Sequence, residues 1–225
     1  MWPNRNSSST GWTSGQHSFA TIQGPSLQRS VFNRSCGLKT TFNSGWLVPI
    51  FCDEALPGDT MNLRTRSFGR MATPLHPTMD NLYMDFFYFA VPIRLLWENW
   101  QKMNGEQDDP GDSTDFMVPV QTAPSGGYTE LSLGDYLGIP TKQDNVDPSA
   151  LWFRAYNLIF KEWFRSEDLI DSPVVDTDDG PDTDTDYVLR RRGKRHDYFT
   201  ACLPWPQKGD AVTLPLGTSA PIEGI

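Results

Sequence analysis

The chain has 225 residues, 38% of them apolar and 12% aromatic, with 18 glycines and 18 prolines. That is enough chain to bury a substantial core, and its tilt toward turn residues favours β-rich structure with long loops. The formal net charge of −9 is uneven: residues 1–100 carry 8 Lys/Arg against 6 Asp/Glu, and residues 101–225 carry 11 against 22. A chain of this sign cannot coat nucleic acid over its whole surface, so any phosphate contact must be local.

Residues 1–30 are rich in Ser, Thr, Asn, Gly and Gln with scattered aromatics (Trp2, Trp12, Phe19). They cannot bury enough apolar surface to fold alone, which predicts an arm that orders against neighbours. From Lys39 the texture changes. Thr41, Phe42, Trp46, Leu47, Val48, Ile50 and Phe51 form a strand-like run, followed by the turn Leu56-Pro57-Gly58-Asp59 and a second run, Thr60 to Met71. In that second run Arg64, Arg66 and Arg70 share one parity, with Leu63, Thr65 and Ser67 on the other, so the polar face is basic and reads as a solvated strand face. Asn81 to Ile93 is a third β candidate, apolar on both faces as a strand between layers would be. Its uncharged core, Phe86 to Ile93, is far too short to cross a bilayer as a helix.

Leu95 to Met103 predicts a short helix stopped by Asn104-Gly105. Residues 105–150, punctuated by Pro and Gly, read as a surface excursion that packs on a neighbouring subunit. The clearest helix is Ser149 to Arg165, with Ser149 as N-cap and Trp152, Tyr156, Ile159 or Phe160, and Trp163 at helical spacing.

Two charged clusters follow. Asp176, Asp178, Asp179, Asp182, Asp184 and Asp186 suggest oxygen ligands for a hard cation, but the spacing fails the EF-hand pattern: Gly180 falls one place early and Tyr187 stands where Glu is needed. A solvated or arginine-paired acidic loop is the better expectation. The basic cluster Arg190, Arg191, Arg192, Lys194 and Arg195, beside Tyr198 and Phe199, is the candidate contact site. It suits either single-stranded nucleic acid, where cations meet phosphates and rings stack on bases, or pairing with the acidic run within or between subunits.

Catalytic and metal signals are lacking. His17, His76 and His196 stand far apart, and His196 beside Asp197 points away from it along extended chain. Cys36, Cys52 and Cys202 show no C-x-x-C spacing and are expected to be free, mostly buried thiols. No catalytic residue, metal or cofactor is expected, and the chain does not read as an enzyme.

Several phrases, in order, resemble the major capsid proteins of the microviruses, in particular the gokushovirus branch of these single-stranded DNA phages. They include Leu47-Val48-Pro49-Ile50, Asp53-Glu54-Ala55-Leu56-Pro57-Gly58-Asp59-Thr60, Phe89-Ala90-Val91-Pro92, Phe153-Arg154-Ala155-Tyr156-Asn157, Glu162-Trp163-Phe164-Arg165, Asp178-Asp179-Gly180-Pro181, Gly193-Lys194-Arg195-His196-Asp197-Tyr198-Phe199 and Leu203-Pro204-Trp205-Pro206-Gln207-Lys208-Gly209. The resemblance implies a mainly β fold, a viral jelly-roll β-sandwich with long loop insertions and a few helices. Residues 1–30 would be its flexible arm and 31–225 a partial jelly-roll domain, insertion-rich over about 94–186.

It further implies a structural subunit of a T=1 icosahedral shell around circular single-stranded DNA, assembled in the host bacterial cytoplasm and resident in the virion. The implied partners are other copies of the subunit, the genome and a small basic DNA-packaging protein, with no membrane. Family members are longer, so the chain is expected to cover roughly the N-terminal half, to leave strand edges open, and to aggregate when isolated. The alternative is a single-stranded nucleic-acid-binding module that uses residues 190–195 and the arginines of residues 64–70.

Overall fold

The computed structural model describes residues 28–193 together with Asp197, Tyr198, Ala201, Cys202, Thr213 and Gly217. The chain divides into two units, Met1–Lys39 and Thr40–Ile225. Most of the expected arm lies outside the described residues. Residues 28–39 carry no helix or strand and are exposed, with a local turn in which the Asn33 carboxamide oxygen accepts from Ser35 N at 3.0 Å.

In the second unit the helices are short. After Pro92 a 3-10 turn, Ile93–Leu95, leads to α1, Trp100–Met103, which ends at Asn104 and Gly105 (φ 88°). The one-turn α2, Leu133–Tyr136, is capped by Ser132, whose hydroxyl accepts from Asp135 N. The nine-residue α3, Leu151–Ile159, continues into a π-helical turn, Phe160–Phe164, closed by Arg165 N donating to Phe160 O at 2.9 Å. Helix and π turn together reproduce the expected 149–165 element. The cap position falls on Ala150, not on Ser149 as expected; Ser149 stands one place before it, and its hydroxyl accepts from Leu151 N at 3.4 Å.

The core forms where α3 meets the excursion. Tyr128 stacks on Phe153 at 6.2 Å, Phe153 meets Tyr187 edge-on at 5.9 Å, and Leu133 completes the cluster. The middle of residues 105–150 therefore packs on this chain's own core, through Tyr128 and Leu133. Polar backbone in this stretch finds partners at once: Gln121 N donates to Pro148 O, Ala150 N to Pro119 O, and Lys142 N to Tyr128 O. Gly127 (φ 77°) is required here, because any Cβ would strike the backbone of Gln143.

The segments expected as strands behave differently. Their turn is present, with Asp59 N donating to Leu56 O at 3.0 Å around Pro57 and a Gly58 at φ 88°. No ladder forms among the described residues. The β-pairing there consists of isolated bridges, Trp46 with Arg191, Val120 with Ser149, Gln121 with Asp182 and Tyr128 with Thr141. Few helices, as expected, accompany strand-like chain that has found no sheet. A strand is stabilised by a hydrogen-bonded ladder to its partner, and residues 48–92 form none among the described residues. Phe68, Leu75, Met79, Leu82 and Tyr83 accordingly stay exposed. Cys36, Cys52 and Cys202 are free thiols, but exposed, not buried, because they fall outside the packed core. No helix among the described residues is long and apolar enough to cross a membrane.

Candidate functional site

The polar centre of the molecule is Arg154. It sits on α3 with no exposed surface, and each of a guanidinium's five N–H donors has an acceptor. Nε and Nη2 grip Asp182 at 2.7 and 2.5 Å, Nη1 donates to Leu96 O and Asp178 O at 2.9 Å, and Nη2 also reaches the Asp178 carboxylate at 3.3 Å. Burial opposes the charge, but the hydrogen bond and charge of Asp182 hold its pKa above the ordinary arginine value. Asp182 also accepts from the Tyr187 hydroxyl at 2.7 Å, while its backbone bonds to Val120 and Thr122. Burial, then the bond to Asp182, pushes the Tyr187 hydroxyl pKa up strongly.

Around this hub the acidic loop is stapled to the 93–117 segment. Asp179 accepts from Trp97 Nε1 at 2.7 Å, Asn99 Nδ2 at 2.8 Å and Met117 N at 3.1 Å. Bonds from Asn99 and Trp97 hold its carboxyl below the usual range. Asp176 accepts only a long bond from the Tyr187 hydroxyl, 3.5 Å, among the described residues, and burial together with Asp182, Asp178 and Asp186 raises its pKa against the opposing pull of Arg154. Among the described residues the arginine that pairs with the acidic run is thus Arg154 from the helix. Of the described residues of the basic cluster, Arg190 reaches the run, its Nη2 donating to the Asp186 backbone oxygen at 3.3 Å. Among the described residues no group of three or more His, Cys, Asp or Glu side chains is arranged to hold a metal ion.

The basic residues 190–192 are laid along Gly45–Leu47. Leu47 N donates to Arg190 O at 3.0 Å and Arg192 N to Gly45 O at 2.9 Å. The Tyr156 hydroxyl clasps both sides, donating to Leu47 O and accepting from Arg190 N, each at 2.9 Å. Its burial raises the phenol pKa to about 12. Each guanidinium then lies over a ring: Arg190 over Phe160 at 5.7 Å, Arg191 over Trp46 at 4.6 Å, and Arg192 over Phe87 and Phe164 at 5.2 and 5.8 Å. Arg192 also pairs with Asp85 at 3.0 Å. Of the candidate contact residues, Arg190, Arg191 and Arg192 are thus brought together as a strap over aromatic side chains, and Lys194 and Arg195 lie outside the described residues. Reading the sequence for clusters overlooked Arg154. Its signal is a lone cation on an otherwise aromatic helical surface, which must be paired to be buried.

Short helices, isolated bridges, an ionic hub and an exposed aromatic tract characterise the described residues, and comparison with known proteins gives the family. Residues 20–224 match the family described as capsid protein (F protein), and the chain belongs to that phage capsid family. It is 54% identical to capsid protein VP1 of Bdellovibrio phage phiMH2K over 207 residues, covering 92% of this chain and 39% of that protein. It is 42% identical to capsid protein VP1 of Chlamydia phage 1, covering 86% and 36%, and 35% identical to capsid protein VP1 of Spiroplasma virus 4, covering 92% and 39%. The chain therefore spans under two fifths of the length of these relatives.

Proposed function

We propose that the chain is part of a structural, non-enzymatic capsid subunit that assembles with copies of itself into a T=1 icosahedral shell around a circular single-stranded DNA genome. Residues 1–30 act as an arm, and 31–225 supply part of a jelly-roll β-sandwich with its insertion over about 94–186. The genome and a small basic DNA-packaging protein are further partners, assembly takes place in the host bacterial cytoplasm, and the product is the virion. The observation that carries this reading is the capsid-family match over residues 20–224, supported by the exposed aromatic tract that an assembled shell would cover.

Within this reading Arg190, Arg191 and Arg192 serve first as an internal strap, because their guanidinium groups already lie on rings and on Asp85. The test is sedimentation and electron microscopy of the chain expressed alone and within its complete reading frame. Small icosahedral particles from the longer product are expected. No particles from either product would refute the shell.

A further inference from the structure

From Thr60 to Met79 the sequence holds Arg64, Arg66, Arg70 and His76 and no acidic residue, within a chain of net charge −9. Alternation in this stretch is visible in its contacts. The Thr65 hydroxyl meets the Tyr88 hydroxyl, and a Cβ on Gly69 would lie 3.2 Å from the Met84 terminal methyl. Four residues forward along one segment thus match four residues back along the other, so residues 60–71 and 81–93 run antiparallel with odd-numbered positions of the first facing the second. Even-numbered positions, Arg64, Arg66, Phe68 and Arg70, fall on the opposite side. Exposure follows the same parity: Phe68 is 93% exposed, whereas Met61, Leu63 and Met71 are 43, 52 and 45% exposed.

These arginines differ from those of the strap. All three are exposed, and among the described residues Arg64, Arg66 and Arg70 make no hydrogen bond, ion pair or ring contact. We propose that Arg64, Arg66, Phe68 and Arg70 form a contact row for single-stranded nucleic acid. The inference rests on the reading of a genome-enclosing subunit and names the surface that meets the genome. Guanidinium groups grip phosphates in fork geometry, and a ring set among them offers a stacking face for a base. An acidic protein surface is the competing occupant, and binding to polyglutamate separates it from single-stranded nucleic acid.

The test is fluorescence titration of the purified chain with a labelled 20-mer of thymidylate across a salt series. The triple change Arg64→Ala, Arg66→Ala, Arg70→Ala is expected to weaken binding at least tenfold and to flatten the log–log salt slope by about 2, at roughly 0.7 per phosphate contact on a single strand. Phe68→Ala should lose about tenfold with the slope unchanged. The triple Lys variant at the same positions should keep the slope, and Lys142→Ala with Lys161→Ala should bind as the parent does. Circular dichroism checks that each variant keeps the parent fold. Parent-like affinity and slope in the triple alanine variant would overturn the row, as would a parent that ignores the oligonucleotide but binds polyglutamate through these arginines. Shell formation is read separately by electron microscopy, so its failure leaves the oligonucleotide result standing.

Discussion

Residues 48–92 and residues 93–193 are both rich in aromatic side chains, yet only the second stretch buries them. In the later stretch Trp97 is 1% exposed and Phe153 2%, whereas Leu82 and Tyr83 in the earlier one are 68 and 82% exposed. Apolar content is therefore not what separates them. The difference lies in where the backbone and the charges find partners. The later stretch closes its polar groups over short distances, through turns, a capped helix and the five donors of Arg154. The earlier stretch is strand-like chain whose N–H and C=O groups are left to water for want of a paired strand. A segment of that kind stays open until another strand pairs with it.

The largest expected effect breaks the hub of the packed stretch. Arg154→Met leaves Asp182 buried and unpaired, which should destabilise by about 3–5 kcal/mol, read as the urea midpoint followed by tryptophan fluorescence. Asp182→Asn should cost a comparable amount, and the double variant less than the two together, because they share one interaction. Next comes a paired comparison of single rings. Phe153→Ala is expected to cost about 3–5 kcal/mol, while Phe68→Ala should stay within about 0.5 kcal/mol, since one ring is buried and the other is solvated. Equal costs would mean that the two stretches fold as one unit. Tyr156→Phe is smaller, about 1–3 kcal/mol, because it removes the hydroxyl that joins Leu47 O to Arg190 N. Hydrogen exchange should show protected amides in α3 and prompt exchange across most of residues 60–92.

How much of this was legible in the sequence follows from the range of each interaction. The Pro57-Gly58 turn, the stop at Asn104-Gly105 and the long aromatic helix all depend on residues next to one another in the chain, and each stands where the sequence places it. The π turn at Phe160–Phe164 and the cap at Ser132 refine that picture locally. What the sequence hid is long-range. Arg154 meets Asp182 across 28 positions and Tyr156 meets Leu47 across 109, and no periodicity announces such pairs. The strap was hidden for a related reason. A run of arginines looks the same whether it faces phosphate or lies on rings, and only the placement of Trp46, Phe87, Phe160 and Phe164 decides between them.

The smallest effect is also the one that tests the acidic loop most directly, because two neighbouring aspartates should respond to acid with opposite signs. Donors from Asn99, Trp97 and Met117 lower the Asp179 pKa from 3.8. It therefore contributes stability that is present above the ordinary value and is lost as pH falls through the folded one. Burial and neighbouring carboxylates raise the Asp176 pKa from 3.8. Its charge opposes folding at neutral pH, and the native state takes up the proton first, so this contribution improves as pH falls through the raised value. Asp176→Asn should then raise the urea midpoint at pH 7 and lose that advantage near pH 3. Asp179→Asn should lower the midpoint at pH 7 and make less difference near pH 3. Both carboxylates are only partly buried, so each effect should stay within about 0.5 kcal/mol. If both variants shifted the midpoint in the same direction at pH 7, the loop would be acting through net charge alone, and the hydrogen bonds that tie Asp179 to the 97–117 segment would contribute nothing measurable.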